Sequence, residues 1–156
     1  MDPTTRAALI ERYAAGYSEV VAALAGATAA ELDVRRSPEA WTAREVVHHL
    51  ADSEMTSAIR LRRLLVEDSP VIAGYDEEAF ARKLFYAERP LEASLRAFEA
   101  ARATSAEVLA RLAEDDWSRA GTHSESGPYS VTDWLEIYAS HGHDHAAQIR
   151  EALGRG

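Results

Sequence analysis

The stretch SVTDWLEIYASHGHDHAAQIREAL, residues Ser130 to Leu153, decides the fold. Ser130 is a helix N-cap residue, Asp133 stands at the capping-box position three residues on, and Tyr129 with Trp134 fits the flanking hydrophobic staple. Gly154 supplies the stop. At about 100° per residue, Trp134, Tyr138, His141, His145, Gln148, Ile149 and Ala152 share one arc. Its aromatic and aliphatic content marks that arc as the buried one. His141 and His145 therefore face the core, whereas His143 falls on the opposite side beside Glu136 and Ser140 and is expected to be a solvated surface residue.

Working outward, the same device opens an earlier helix. In WTAREV, Thr42 is the N-cap, Glu45 completes the capping box, and Trp41 with Val46 forms the staple, predicting a helix to about Glu67. A first helix is expected over about Thr5–Leu24, with Leu9, Tyr13, Tyr17, Val20, Val21 and Leu24 at helical spacing and Gly26 beyond its end. A third is expected from Pro90 in its first turn to about Asp115, and a short connecting helix near Asp76–Phe85. The glycines and proline of WSRAGTHSESGPY read as a polar loop. The fold class that follows is all-α, an antiparallel four-helix bundle with one short connecting helix, in whose core facing helices build sites.

The 156 residues are expected to form a single domain spanning 1–156. With no Cys there is no disulfide framework and no thiolate metal site, so a bound metal must be held by His, Asp or Glu. A formal net charge of -9 argues against nucleic acid as a partner, because phosphate binding rests on a basic patch. No apolar run approaches the ~20 residues that span a bilayer, and MDPTTRAALIERY lacks the layout of a signal peptide, so no membrane partner and a cytoplasmic location are expected.

Two imidazoles at i and i+4 on one helix face can reach one metal ion, the arrangement of H-E-x-x-H enzymes. Here Gly142 stands where those metalloproteases carry their general base, which excludes that reading. The alternative is a pair of core histidines satisfied by hydrogen bonds. A third ligand has to come from VVHHLADSE or from the isolated His123. On that helix Val47, Leu50, Ala51, Ala58, Leu61 and Leu65 form the apolar arc, His48 lies on its flank, and His49 falls in a sector shared with Asp52, Ser53 and Arg60, so the wheel does not choose between them. Glu54 falls inside the apolar arc, as a paired buried acid, a residue facing a wet pocket, or a partly exposed acid at the bundle's end. Trp41, Trp117 and Trp134 are expected in the core, and His123 as a plain loop histidine.

WTAREVVHHLADSEMTSAIRLRRLL, GYDEEAF, GTHSESGPYSVTDWL and YASHGHDHAAQI together resemble the DinB-like superfamily of four-helix-bundle metalloproteins. Within it they are similar to the YfiT-like metal-dependent hydrolases, a group that includes bacillithiol S-transferases. The resemblance covers nearly the whole chain. It implies a divalent metal, zinc or nickel, on His49, His141 and His145, and a homodimer. Glu54 and Gln148 stand where a close relative carries further histidines that are not ligands, which alters the polarity of the pocket. The activity implied is transfer of a low-molecular-weight, bacillithiol-like thiol from the metal to an electrophilic small molecule in detoxification or stress defence. The alternatives are a metal-hydroxide hydrolase and, in another class, a non-catalytic metal- or ligand-binding stress protein. Asp52, Glu54, Tyr138 and Gln148 are the candidates for orienting a ligand imidazole or substrate.

Overall fold

A computed structural model describes residues 1–155. Six α-helices are formed among the described residues: α1 Pro3–Leu24, α2 Ala29–Leu32, α3 Ala43–Val66, α4 Glu77–Lys83, α5 Glu92–Leu109 and α6 Val131–Ala152. Both capping boxes form as expected, Thr42 with Glu45 on α3 and Ser130 with Asp133 on α6. α1 starts two residues earlier than predicted because the Asp2 carboxylate accepts from the Thr4 and Thr5 amides and Pro3 suits the first turn. α5 is shorter than predicted: it begins past Pro90, ends at Leu109, and leaves Glu114–Ser118 as a separate 3₁₀ turn.

The four long helices pack as a bundle in which α1 lies against α6 and α5, and α3 against the same two. Cross-contacts fix their directions. On α1 and α6, Arg12 meets His143 and Glu19 meets Arg150, so these neighbours run parallel. On α3 and α5, His48 meets Ser94 and Arg62 meets Thr104, also parallel. The α1/α5 and α3/α6 pairs are antiparallel: Tyr17 stacks on Phe98 and Tyr13 receives Arg102, while His49 lies by His145 and Ser57 receives Trp134. Parallel neighbours require long crossovers, and the chain between α3 and α5 is one.

That crossover brings in a feature that the loop reading did not anticipate. β1 (Val71–Ile72) pairs in parallel with β2 (Ala120–His123), which pairs antiparallel with β3 (Gly127–Ser130). The strands are two to four residues long and carry Gly, Pro and polar residues, so no period-two signal could build up. Ile72 and Tyr129 drive their side chains into one end of the bundle beside Trp117 and Trp134.

Two apolar clusters fill the interior, one around Val20, Val46, Leu50, Phe98 and Ile149 and the other around Tyr13, Leu61, Leu109, Trp134 and Leu135. Between them lies a polar layer. Arg102 (1% exposed) and Glu54 (0%) form an ion pair at 2.5 Å. Arg102 also donates to the carbonyls of Tyr13 and Tyr138, and the Tyr13 hydroxyl donates to Glu54. The network thus touches α3, α5, α1 and α6. Gly16 makes room for it, since a Cβ there would sit 2.7 Å from the Arg102 guanidinium.

Removing one partner of a fully buried pair leaves an uncompensated charge, with a typical penalty of about 3–5 kcal/mol. Arg102→Met is expected to lose that much in urea denaturation, and the double variant Glu54→Leu/Arg102→Met to recover more than half of it. Equal losses in the single and double variants would show that the two side chains are not coupled.

Candidate metal centre

His49 from α3 and His141 and His145 from α6 converge at the edge of the polar layer. One ring nitrogen of each lies within 4.8 Å of the others, and the ring centroids are 4.5–5.5 Å apart. The Nε2 atoms of His141 and His145 stand 3.2 Å from one another. His145 presents its Nε2 because its Nδ1–H donates to the Gln148 amide oxygen at 2.6 Å. The Nδ1 atoms of His49 and His141 are buried without a partner. Burial pushes His49 down to about 3 and His141 to about 2, the neighbouring imidazoles adding to the effect, and burial lowers His145 as well.

The convergence of the ring nitrogens and their neutral state fit a divalent ion. Two zinc–nitrogen bonds of ~2.0–2.1 Å at a tetrahedral angle separate their nitrogens by about 3.3 Å, close to the His141–His145 spacing. Three imidazoles held neutral by burial are the protonation state that a metal requires. The centre is not sealed: His49 and His145 line a cavity of about 410 Å³ together with Trp41, Arg36, Glu78 and Gln148.

The other expected residues divide. Gln148 orients His145, and the Tyr138 ring packs 5.5 Å from the His141 ring while its hydroxyl accepts from Arg60. Glu54 is the paired buried acid and makes no hydrogen bond to the triad. Asp52 accepts from the Tyr86 hydroxyl at 2.6 Å and so anchors the connector rather than an imidazole. His48 faces α5 instead of α6, satisfied by Ser94 and the Arg89 carbonyl. His123 lies on β2 against the Tyr129 ring, outside the cavity.

Two expectations are corrected. His143 is not simply solvated: it is half-buried and its Nε2 donates to the Arg12 carbonyl at 2.9 Å. The cause is the close approach of α1 and α6, where a Cβ on Gly142 would lie 3.1 Å from the Gly16 Cα. Trp41 is not wholly core: it packs against one apolar cluster yet walls the cavity, 5.1 Å from the His49 ring, with its indole N–H donating to Glu78. Its position at the entry of the helix that bears His49 was the available signal. Glu78 had none, because the crossover alone brings it there.

The lowered histidines have a stability consequence in the metal-free protein. Below pH ~6.5 the unfolded chain takes up protons that folded His49 and His141 refuse, so stability falls with pH down toward their folded values, by up to ~1.4 kcal/mol per pH unit for each group. From pH 7 to 5, His141→Asn is expected to lose about 2 kcal/mol less than the wild type in urea denaturation. Equal losses would show that His141 is not held neutral.

The same architecture occurs elsewhere. YfiT of Bacillus subtilis, described as "a probable metal-dependent hydrolase with an unusual four-helix bundle topology", superposes with a TM-score of 0.92 at 28% identity over 99% of this chain and 89% of that one. A protein of Oceanobacillus iheyensis named "Putative metal-dependent hydrolase" is 40% identical over 125 residues, 80% of this chain and 72% of its own. One of the same name from Halalkalibacterium halodurans is 29% identical over the same shares. The sequence pattern of the DinB superfamily matches residues 12–149. The chain therefore belongs to the DinB superfamily, and within it to the YfiT-like group to which metal dependence is ascribed.

Proposed function

We propose that the chain is a metal-dependent enzyme that holds one divalent ion, zinc or nickel, on His49, His141 and His145 and transfers a low-molecular-weight thiol to an electrophile in the adjoining cavity. The observation that supports this reading is the convergence of three neutral imidazoles, two of which, His49 and His145, line an open cavity. Three protein ligands leave an open coordination position, the feature that separates a catalytic from a structural site. An ion there supplies Lewis acidity, lowering the pKa of the small donor that occupies the open position.

The protein's own groups do the rest. Gln148 fixes the tautomer of His145 so that its Nε2 lone pair points inward. Tyr138 and Trp41 flank His141 and His49 and restrict their rotation. The chain has no cysteine, so a sulfur nucleophile has to come from a second substrate. In the transfer, sulfur forms a bond to the electrophilic carbon, the leaving group departs with the bonding pair, and the thiol proton passes to solvent.

Hydrolysis is the second reading, favoured by the names of the relatives and by carboxylates on the cavity wall that could accept a proton from water. The same protein preparations test both. Purified without a histidine tag, the wild type is expected to carry about one equivalent of metal by elemental analysis. His49→Ala, His141→Ala and His145→Ala are expected to lose it and His143→Ala to keep it. Wild type that gains no metal on titration overturns the metal reading. With metal bound, an aryl halide should be consumed only when a thiol is supplied. Turnover of an ester or amide without thiol would instead establish the hydrolase.

A further inference from the structure

A second open cavity, of about 550 Å³, adjoins the one beside the triad. Trp41, Glu39 and Glu78 line both, so the two are halves of one cleft with the Trp41 indole between them. The indole is held there by its N–H bond to Glu78 and by edge contacts with the His49 and Tyr86 rings at 5.1 and 6.3 Å. Beyond it, Pro38, Ala81, Phe85 and Ala87 supply an apolar wall. Four of the charged residues on this outer half stand in opposed pairs, Arg35 with Glu45 at 2.6 Å and Arg82 with Glu78 at 4.0 Å. The other two, Glu39 and Glu88, are exposed. With its paired charges offsetting one another, the outer half offers mainly apolar surface to a ligand.

Phe85 is the independent sign that something docks here. It has a left-handed backbone, φ 57°, just past the end of α4, where the Tyr86 amide donates back to the Ala81 carbonyl at 3.1 Å. That is a Schellman-type stop, and its left-handed residue is ordinarily glycine because a side chain is penalised in that conformation. The turn itself is needed, since it carries the buried Tyr86 inward to Asp52, but glycine would make it without strain. Burial does not offset the strain either, because Phe85 is 59% exposed. A strained, exposed aromatic on the wall of a cavity continuous with the candidate metal centre is therefore kept for contact with a ligand.

We propose that the outer cavity binds an apolar alkyl or aryl tail of the electrophilic substrate, packed between Phe85 and Trp41, while the reactive end lies at the triad. The inference rests on the metal-centre reading and names the class of substrate within it: elongated electrophiles with an uncharged hydrocarbon tail, in preference to short or polar-ended ones. The turn after α4 takes part in substrate choice, and the triad supplies the reactivity.

The test uses zinc-loaded protein and hydroxamates, whose head group binds zinc, with affinity read by calorimetry. The probes are acetohydroxamate, octanohydroxamate and the hydroxyl-ended analogue of octanohydroxamate. Wild type is expected to bind octanohydroxamate about 100-fold more tightly than acetohydroxamate, and the hydroxyl-ended chain about tenfold less tightly than octanohydroxamate. Phe85→Ala and Phe85→Gly are each expected to lower the octano- to acetohydroxamate ratio about fivefold while leaving acetohydroxamate within about twofold of wild type. Phe85→Leu, which restores an apolar side chain, should recover most of the ratio. Phe85→Gly is expected to unfold roughly 2–4 °C above Phe85→Ala, because only glycine relieves the left-handed strain. Equal unfolding temperatures would remove the strain on which the proposal stands. A ratio unchanged in both truncations, or a hydroxyl-ended chain bound as tightly as octanohydroxamate, overturns the apolar subsite and leaves the metal reading standing. Acetohydroxamate binding that survives His141→Ala sinks the metal reading itself, and this proposal with it.

Discussion

The buried Glu54–Arg102 pair is the constraint on which the rest of the bundle depends. Neither charge reaches water, and each is tolerable only because the other, the Tyr13 hydroxyl and two main-chain carbonyls satisfy it. Those partners lie on four different helices, so meeting the requirement sets the height of every long helix relative to the others. Apolar packing alone tolerates sliding by a turn, whereas a buried guanidinium with directional donors does not. Gly16 belongs to the same constraint, because any side chain there would collide with Arg102.

The triad inherits its geometry from that arrangement. Tyr138, whose carbonyl is held by Arg102, lies one helical turn before His141 and packs against its ring. Gly142 lets α6 approach α1, which fixes the rotation of α6 and points His141 and His145 toward α3. The residue that would be a catalytic glutamate in an H-E-x-x-H enzyme is here a packing glycine.

The connectivity explains how the cavity wall is assembled. Because α3 and α5 run parallel, the chain must travel the length of the bundle between them, and it uses the journey to lay β1 and α4 over the outside. α4 then meets the start of α3, where Glu78 accepts from Trp41, and the Asp52–Tyr86 hydrogen bond fastens the crossover's far end. The site thus draws on different parts of the chain: long capped helices hold the imidazoles, and the segment before α3, the start of α4 and the end of α6 wall the cavity beside them.

Much of this was legible in local sequence, and the reason is range. Capping boxes act over three residues and helical periodicity over four. Thr42, Glu45, Ser130, Asp133 and the i, i+4 spacing of His141 and His145 could therefore be read directly, and with them two of the helices and two-thirds of the triad. His49 was separated from His48 only by a family resemblance, since the wheel put His48 on the flank of the apolar arc and His49 in a sector shared with Asp52, Ser53 and Arg60. Interactions that span the fold had no local signature. Glu54 met Arg102 across 48 residues, Asp52 turned to Tyr86, His143 reached the Arg12 carbonyl, and three strands too short to show a period formed a sheet. The sequence by itself determined the long helices and the shared inward face of His141 and His145. Only the tertiary structure decided which side chains share that face, because long-range pairing depends on how the helices are stacked and not on the order in which they are written.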